Sequence, residues 1–273
     1  MKERPRVKPS FLIYEPVADL SELDQRMGRI AGLGYRGIEL TASHPFPYPI
    51  EEVIALTRKH SLPVVSLLSG WSYANEGLCL ASSQSDVRKR AVDRLIEYAG
   101  YAGGLAAVLV VGLMQGLRSD EADETAANER IASCLREVAE AAAERGAVVV
   151  LEPVNHLQVG FNHTAAEAAA MVQRVGSPGL SYMLDTIHLN IEERSVLDTI
   201  RTHGRRIRHF HLCESNGGRF GTGNLDFPSV LQALDEVGYS HFASVKIYRE
   251  ADWQEAAQSA IAFLREQCAG CVD

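Results

Sequence analysis

Short apolar runs alternate with longer amphipathic segments from one end of the chain to the other. The runs cover 9–14, 37–41, 63–69, 107–114, 147–154, 180–189, 207–214 and 242–248. Several are continuous rather than alternating, notably 108–111 and 148–151, as expected of strands covered on both faces. Between them, apolar positions recur at helical spacing. The first helix is predicted over 21–33, with Ser21 as its N-cap and Gly34 as its stop. Others follow over 50–60, 86–101, 123–145, 164–175, 196–204, 227–237 and 253–267. In the third, Val87, Ala91, Leu95, Ile96 and Ala99 form the buried stripe. Eight strands and eight helices in strict alternation predict an α/β fold with a parallel sheet, and eight units favour closure into a (β/α)8 TIM barrel. No Gly-x-Gly-x-x-Gly follows the first strand, which weakens the open dinucleotide-binding alternative. Nothing divides the chain, so 1–273 reads as one barrel domain.

Composition narrows the field. The 273 residues, 46% of them hydrophobic and 23% charged, match one barrel of about 250 residues. The net charge of -8 disfavours nucleic acid and anionic membrane as partners. The best basic run, Arg205, Arg206 and Arg208, reads as a solvated helix end. No apolar run is long enough for a signal peptide or a membrane span, and five cysteines suggest no disulfide framework. A cytoplasmic protein is therefore expected. The Cys268-x-x-Cys271 pair offers only half of a structural zinc site and reads as incidental. The sequon at Asn162 would matter only in a secreted protein.

The polar residues share one address. Glu152, Asp185 and His211 each close an apolar strand, the fifth, sixth and seventh. Ionisable groups there are costly to bury unless paired or metal-bound. A lone strand-end Asp is commonly a helix cap, and a lone His a satisfied core group. Three on adjacent strands instead suggest one site, with donors suited to a divalent cation: Mn2+, Co2+, Mg2+ or Zn2+. His188, Asn155, His156, Gln158 and Glu214 lie close by in sequence. Trp71, Tyr248 and Phe161 are candidate pocket walls. The stretches 70–85, 115–123 and 215–226 read as long active-site loops, the last with turn-forming glycines at 221 and 223.

Several motifs carry a family resemblance: Leu-Gly-Tyr-Arg-Gly-Ile-Glu-Leu at 33–40, Leu-Ala-Ser-Ser-Gln-Ser-Asp-Val-Arg-Lys-Arg-Ala at 80–91, Leu-Glu-Pro-Val-Asn, Leu-Asp-Thr-Ile-His-Leu-Asn-Ile-Glu-Glu and His-Phe-His-Leu-Cys-Glu-Ser. The chain resembles the xylose-isomerase-like barrel superfamily, and within it the tagatose/psicose 3-epimerase branch. The resemblance implies a divalent metal held by Glu152, Asp185, His211 and a strand-eight Glu. It further implies two Glu residues that move a proton on opposite faces of an open-chain ketose, and a substrate-binding His188. It also suggests a dimer or tetramer.

The strand-eight position departs from that pattern, because it is Lys246. Three fates are open: the ammonium takes the metal's place beside Glu152 and Asp185; the lysine loses its proton and serves as a base; or it swings out, leaving three ligands and water. The family's substrate-binding Arg is replaced by Gly217, with Arg219 two residues on as the candidate substitute. A family Glu is Gln158, and a loop His is Asn224.

The sequence therefore points to a sugar isomerase or epimerase acting on a small ketose or related polyol ketone by metal-assisted proton transfer next to the carbonyl, with Lys246 in place of the fourth ligand. Glu152 and Lys246 are the acid/base candidates, and His188, Arg219, Gln158 and Trp71 the substrate-binding candidates. A lyase or dehydratase, a Schiff-base enzyme through Lys246, a non-catalytic sugar-binding barrel and a nucleic-acid enzyme are the competing readings. The acidic charge and sparse metal cluster count against the last.

Overall fold

A computed structural model describes residues 7–250 and 252–267. Cys268 and Cys271 lie outside that range. The elements run β1 (Lys8–Ile13), α1 (Leu20–Leu33), β2 (Gly37–Thr41), α2 (Ile50–His60), β3 (Val64–Leu68), α3 (Gly70–Glu76), α4 (Ser85–Leu105), β4 (Val108–Val111) and α5 (Glu124–Glu144). They continue with β5 (Val148–Leu151), α6 (Ala165–Val175), β6 (Leu180–Tyr182), β7 (Leu184–Asp185), α7 (Thr186–Glu192), α8 (Val196–His203), β8 (Phe210–Leu212), α9 (Phe227–Glu236), β9 (Phe242–Val245) and α10 (Trp253–Gln267). All strand pairs are parallel, in the order β6-β5-β4-β3-β2-β1-β9-β8-β7.

The two ends of that order are one strand divided at Met183. Met183 N–H donates to Leu151 O at 3.0 Å on one side, and Arg208 N–H donates to Tyr182 O at 3.1 Å on the other. The sheet thereby closes, giving the TIM barrel expected from the alternation.

Three local expectations change. The apolar run at 180–189 is not all strand. Asp185 Oδ1 accepts from Ile187 N–H at 2.9 Å and starts α7, so the strand stops there. The stretch 70–85 is not a plain loop, since it contains α3. The N-cap of α1 is Asp19, whose carboxylate accepts from Glu22 N–H, rather than Ser21.

Side chains alternate across each strand. Leu109, Val111, Val149 and Leu151 join the large core beneath the helices, while Val110, Val150 and Met183 form a separate apolar cluster inside the barrel. The other half of the interior is polar: Ser10, Glu39, Ser66, Ser244, His209 and His211 are all buried. Cys79, Cys134 and Cys213 are buried free thiols. Asn162 of the sequon spends its buried amide on Gln115 and Asn128. Among the described residues, no helix is long and apolar enough to cross a membrane.

Candidate active site

Strand register brings the predicted ionisable groups together. Asp185 pairs with His211, and His211 with Ser244, two residues before Lys246. Glu152 follows β5 directly, and its N–H donates to Val111 O. Its backbone carbonyl accepts from the buried Gln115 amide at 2.9 Å. Gly112 leaves room for it, because a Cβ there would stand 2.5 Å from Glu152 Oε2.

The resulting cluster is tight. Lys246 Nζ donates to Asp185 Oδ2 at 2.7 Å and lies 3.8 Å from Glu152 Oε1. His211 Nδ1 is 3.3 Å from both carboxylates. His188 Nε2 is 3.7 Å from Glu152 Oε1 and 3.9 Å from Asp185 Oδ2. Asn155 Nδ2 donates to His188 Nδ1 at 2.8 Å, which leaves the ring proton on Nε2, facing the carboxylates. Among the described residues, Glu152 Oε1 has no hydrogen-bond partner although it is buried.

Below this lies a second layer that the sequence reading passed over. Glu39 on β2 accepts from His211 Nε2 at 3.0 Å and from Ser66 Oγ at 2.8 Å, and lies 3.2 Å from His209 Nε2. Ser244 and Ser10 extend the chain of contacts. Two signals were available: Glu39 is an ionisable residue inside an apolar strand, and His209 and His211 sit two apart, on one face.

Burial and charge act against each other here. Burial alone would lower Lys246, but the Asp185 and Glu152 carboxylates outweigh it and hold the ammonium well above its ordinary range. Burial would likewise raise both carboxyls. Lys246 and the neighbouring histidines hold them below the usual range instead. His188 moves the other way: burial depresses it despite the pull of Asp185, so it is neutral at pH 7. His211 is held well above its ordinary value because Glu39, Asp185 and Glu152 overcome its burial. Of the three arrangements open to Lys246, swinging out is not the one seen: its Nζ points inward, toward Asp185 and Glu152.

Above the cluster opens a pocket of about 580 Å³, in the usual range for small-molecule sites. Glu152, His188, Gln158, Lys246, Trp71 and Tyr248 line it, with Tyr14 and Tyr73. Asp185 and His211 lie behind that lining, fully buried. Arg219 does not reach the pocket. It is ion-paired outside with Glu250 at 2.6 Å and Glu255 at 2.7 Å. Phe161 is core, stacked under Arg118. Glu214 turns away and accepts three backbone N–H groups, those of Ser215, Gly221 and Leu225. It thus holds the loop 215–226 off the pocket. Gln115–Asp123 also contributes no lining; Gln115 buttresses Glu152 from behind. Gly217 adopts φ +72°, and a Cβ there would stand 2.3 Å from the Tyr248 ring. Tyr248 thus occupies the space that a side chain at position 217 would enter.

Residues 27–267 match the profile of the xylose isomerase-like TIM barrel family. The chain belongs to this family. Among its relatives, an L-ribulose 3-epimerase of Mesorhizobium japonicum is 32% identical over 163 residues, 59% of this chain and 55% of that protein. A ketose 3-epimerase of Arthrobacter globiformis is 26% identical over 211 residues, 76% of this chain and 71% of that protein. A solved L-ribulose 3-epimerase superposes with a TM-score of 0.85 at 26% identity, covering 97% of this chain and 95% of that one.

The family resemblance implies a divalent metal, and ligand chemistry is present. Glu152, Asp185 and His188 place donor atoms within 4.8 Å of one another, as do Glu39, His209 and His211. The site as built does not fit the ion. Lys246 Nζ already satisfies Asp185 Oδ2, and an ion bound to both carboxylates would stand a few ångströms from an ammonium. At ~4 Å and an effective dielectric of 20, each unit of like charge costs about 4 kcal/mol.

Proposed function

We propose that this chain is a sugar isomerase or epimerase acting on a small ketose or related polyol ketone by proton transfer next to its carbonyl. The carrying observation is that Glu152 and Lys246, 3.8 Å apart, both line a pocket of about 580 Å³ at the C-terminal ends of the strands. A carboxylate base and a cation side by side are what proton transfer next to a carbonyl needs.

In this reading Glu152 removes the proton from the carbon beside the carbonyl. The electron pair moves onto the carbonyl oxygen, giving an enediolate. Lys246 stabilises that oxygen's charge with N–H groups beyond the one it gives Asp185. The proton then returns to carbon, from Glu152 or from Lys246. His188, neutral and oriented by Asn155, donates to a substrate hydroxyl. Trp71, Tyr14 and Tyr248 offer aromatic faces to the sugar's C–H surface, and Gln158 is a hydrogen-bonding partner on the rim. The sugar epimerases among its relatives support the substrate class. No step depends on a metal.

The test is proton exchange. The chain is incubated with free pentuloses and hexuloses in D2O and followed by NMR. Expected are deuterium at the carbon next to the carbonyl and an isomeric product, with both reduced about 10²–10⁴-fold in Glu152→Gln. Product that has lost water would favour the dehydratase reading. Ligand binding with no exchange for any sugar would leave a non-catalytic barrel.

A further inference from the structure

We propose that the Lys246 ammonium is this site's resident cation, standing where the family pattern has a divalent ion, so that the chain works without a bound metal. The proposal concerns how the same pocket is charged. It rests on the reading above only for the identity of the reaction.

Four observations carry it. Lys246 leaves the C-terminal end of β9, the position from which the resemblance expects the fourth ligand, and its N–H is fixed to Leu212 O at 2.8 Å. Its Nζ donates to Asp185 Oδ2 at 2.7 Å and stands 3.8 Å from Glu152 Oε1. The cation is therefore hydrogen-bonded to one, and within ion-pair range of the other, of the two carboxylates that the resemblance assigns to the metal. The side chain is 10% exposed, yet it lines the pocket, so it is held in place rather than swung into solvent. Finally, Asp185 Oδ1 is spent on Ile187 N–H, so Oδ2, the oxygen turned to the cluster, is the one the lysine takes.

Divalent ions favour carboxylate and imidazole donors and have no use for an ammonium, which has no lone pair to give. The swap from carboxylate to ammonium changes the local charge by two units. It also removes one donor. What remains can polarise a substrate oxygen by hydrogen bonding from Nζ, with charge in the same place as a metal would provide.

The test reads metal binding, not turnover. The full chain is stripped with EDTA, dialysed, analysed for metal content, and titrated calorimetrically with Mn2+ and separately with Co2+. Thermal unfolding is followed with and without each ion. The wild type is expected to carry no stoichiometric metal, to bind neither ion more tightly than about 1 mM, and to show no shift in melting temperature. Lys246→Glu is expected to bind one ion per chain at least ~100-fold more tightly and to melt higher when the ion is added. Lys246→Met removes the charge without adding a ligand. It is expected to gain weaker binding through the three remaining donors, and it decides the matter if the Glu variant does not fold. One tightly bound ion per wild-type chain, or melting that falls on EDTA treatment, overturns the proposal. So does failure of both variants to bind, because the side chains would then be no metal cradle for a lysine to occupy. Deuterium exchange that persists in EDTA is expected. Absence of exchange with every sugar, alongside the predicted metal results, sinks the reaction assignment and leaves the cation assignment standing.

Discussion

At the scale of single residues, the site depends on where one carboxylate, that of Glu152, sits. Glu152 is placed from three sides: by its N–H bond to Val111 O, by Gln115 on its carbonyl, and by the bare Cα of Gly112 against Oε2. Gly112 is not in a left-handed conformation, so its value is space. In Gly112→Ala the new methyl would stand 2.5 Å from Oε2, and the carboxylate has to turn. Displacements of that size cost about 10²-fold. Gly112→Ala is expected to lose that much in kcat while its circular dichroism spectrum stays that of the parent. Unchanged turnover would mean that Glu152's position does not limit the reaction. The contrast between Glu152 and Glu39 also shows what a sequence can disclose. Glu152, Asp185 and His211 stand out because each ends an apolar run. Glu39 is embedded in one, and its partners Ser66, His209 and His211 come from β3, the approach to β8 and β8 itself. That layer is a product of barrel closure, and local pattern carries little of it. Arg219 misled for the opposite reason: proximity in sequence to the missing arginine said nothing of Glu250 and Glu255, which hold it outside.

At the scale of elements, the strands and the long helices were legible because their apolar periods are clean. The two short helices were not. In α7 the first four residues, Thr186 to Leu189, are all buried, so no amphipathic stripe distinguishes helix from strand, and the run 180–189 reads as continuous. The signal that splits it is Asp185, a cap as well as a site residue. Caps matter elsewhere too. Helix α6, which follows the Glu152 loop, begins with a reciprocal capping box between Thr164 and Glu167, and its Ala165 N–H donates to Glu193 Oε1 at 2.9 Å, beyond the end of α7. Thr164→Ala leaves the Glu167 N–H without its acceptor. The expected cost is about 1 kcal/mol, or ~2–4 °C in melting temperature for a chain of this size. Because Thr164 touches nothing in the pocket, kcat should be unaffected. A melting temperature equal to the parent's would show that Glu193 and tertiary packing hold this helix start without its cap.

At the scale of the whole molecule, charge is distributed to suit a neutral guest. The chain carries -8 overall. Of the residues lining the pocket, Glu15 and Glu152 are acidic, and Lys246 is the single Lys or Arg. That lysine already serves Asp185 and Glu152. The arginine position is Gly217 under the Tyr248 ring, and Arg219 is neutralised outside by two glutamates. A phosphate monoester brings a charge close to -2 with three strong acceptors, and is normally met by arginine forks or a helix N-terminus. Here it would meet aromatic walls, a carboxylate and an ammonium whose charge is already balanced. A free ketose brings hydroxyls and C–H faces that match Gln158, His188, Trp71 and Tyr14. The free sugar is therefore expected to exceed its phosphate ester by about 100-fold or more in kcat/KM, a difference that a few kcal/mol of uncompensated charge supplies. Parallel progress curves on one ketose and its terminal phosphate ester measure it. The ratio should narrow in Glu15→Gln, since that change removes one of the two lining carboxylates. Preference for the ester in the parent chain would mean that an anion site exists beyond this pocket and that local charge does not select the substrate.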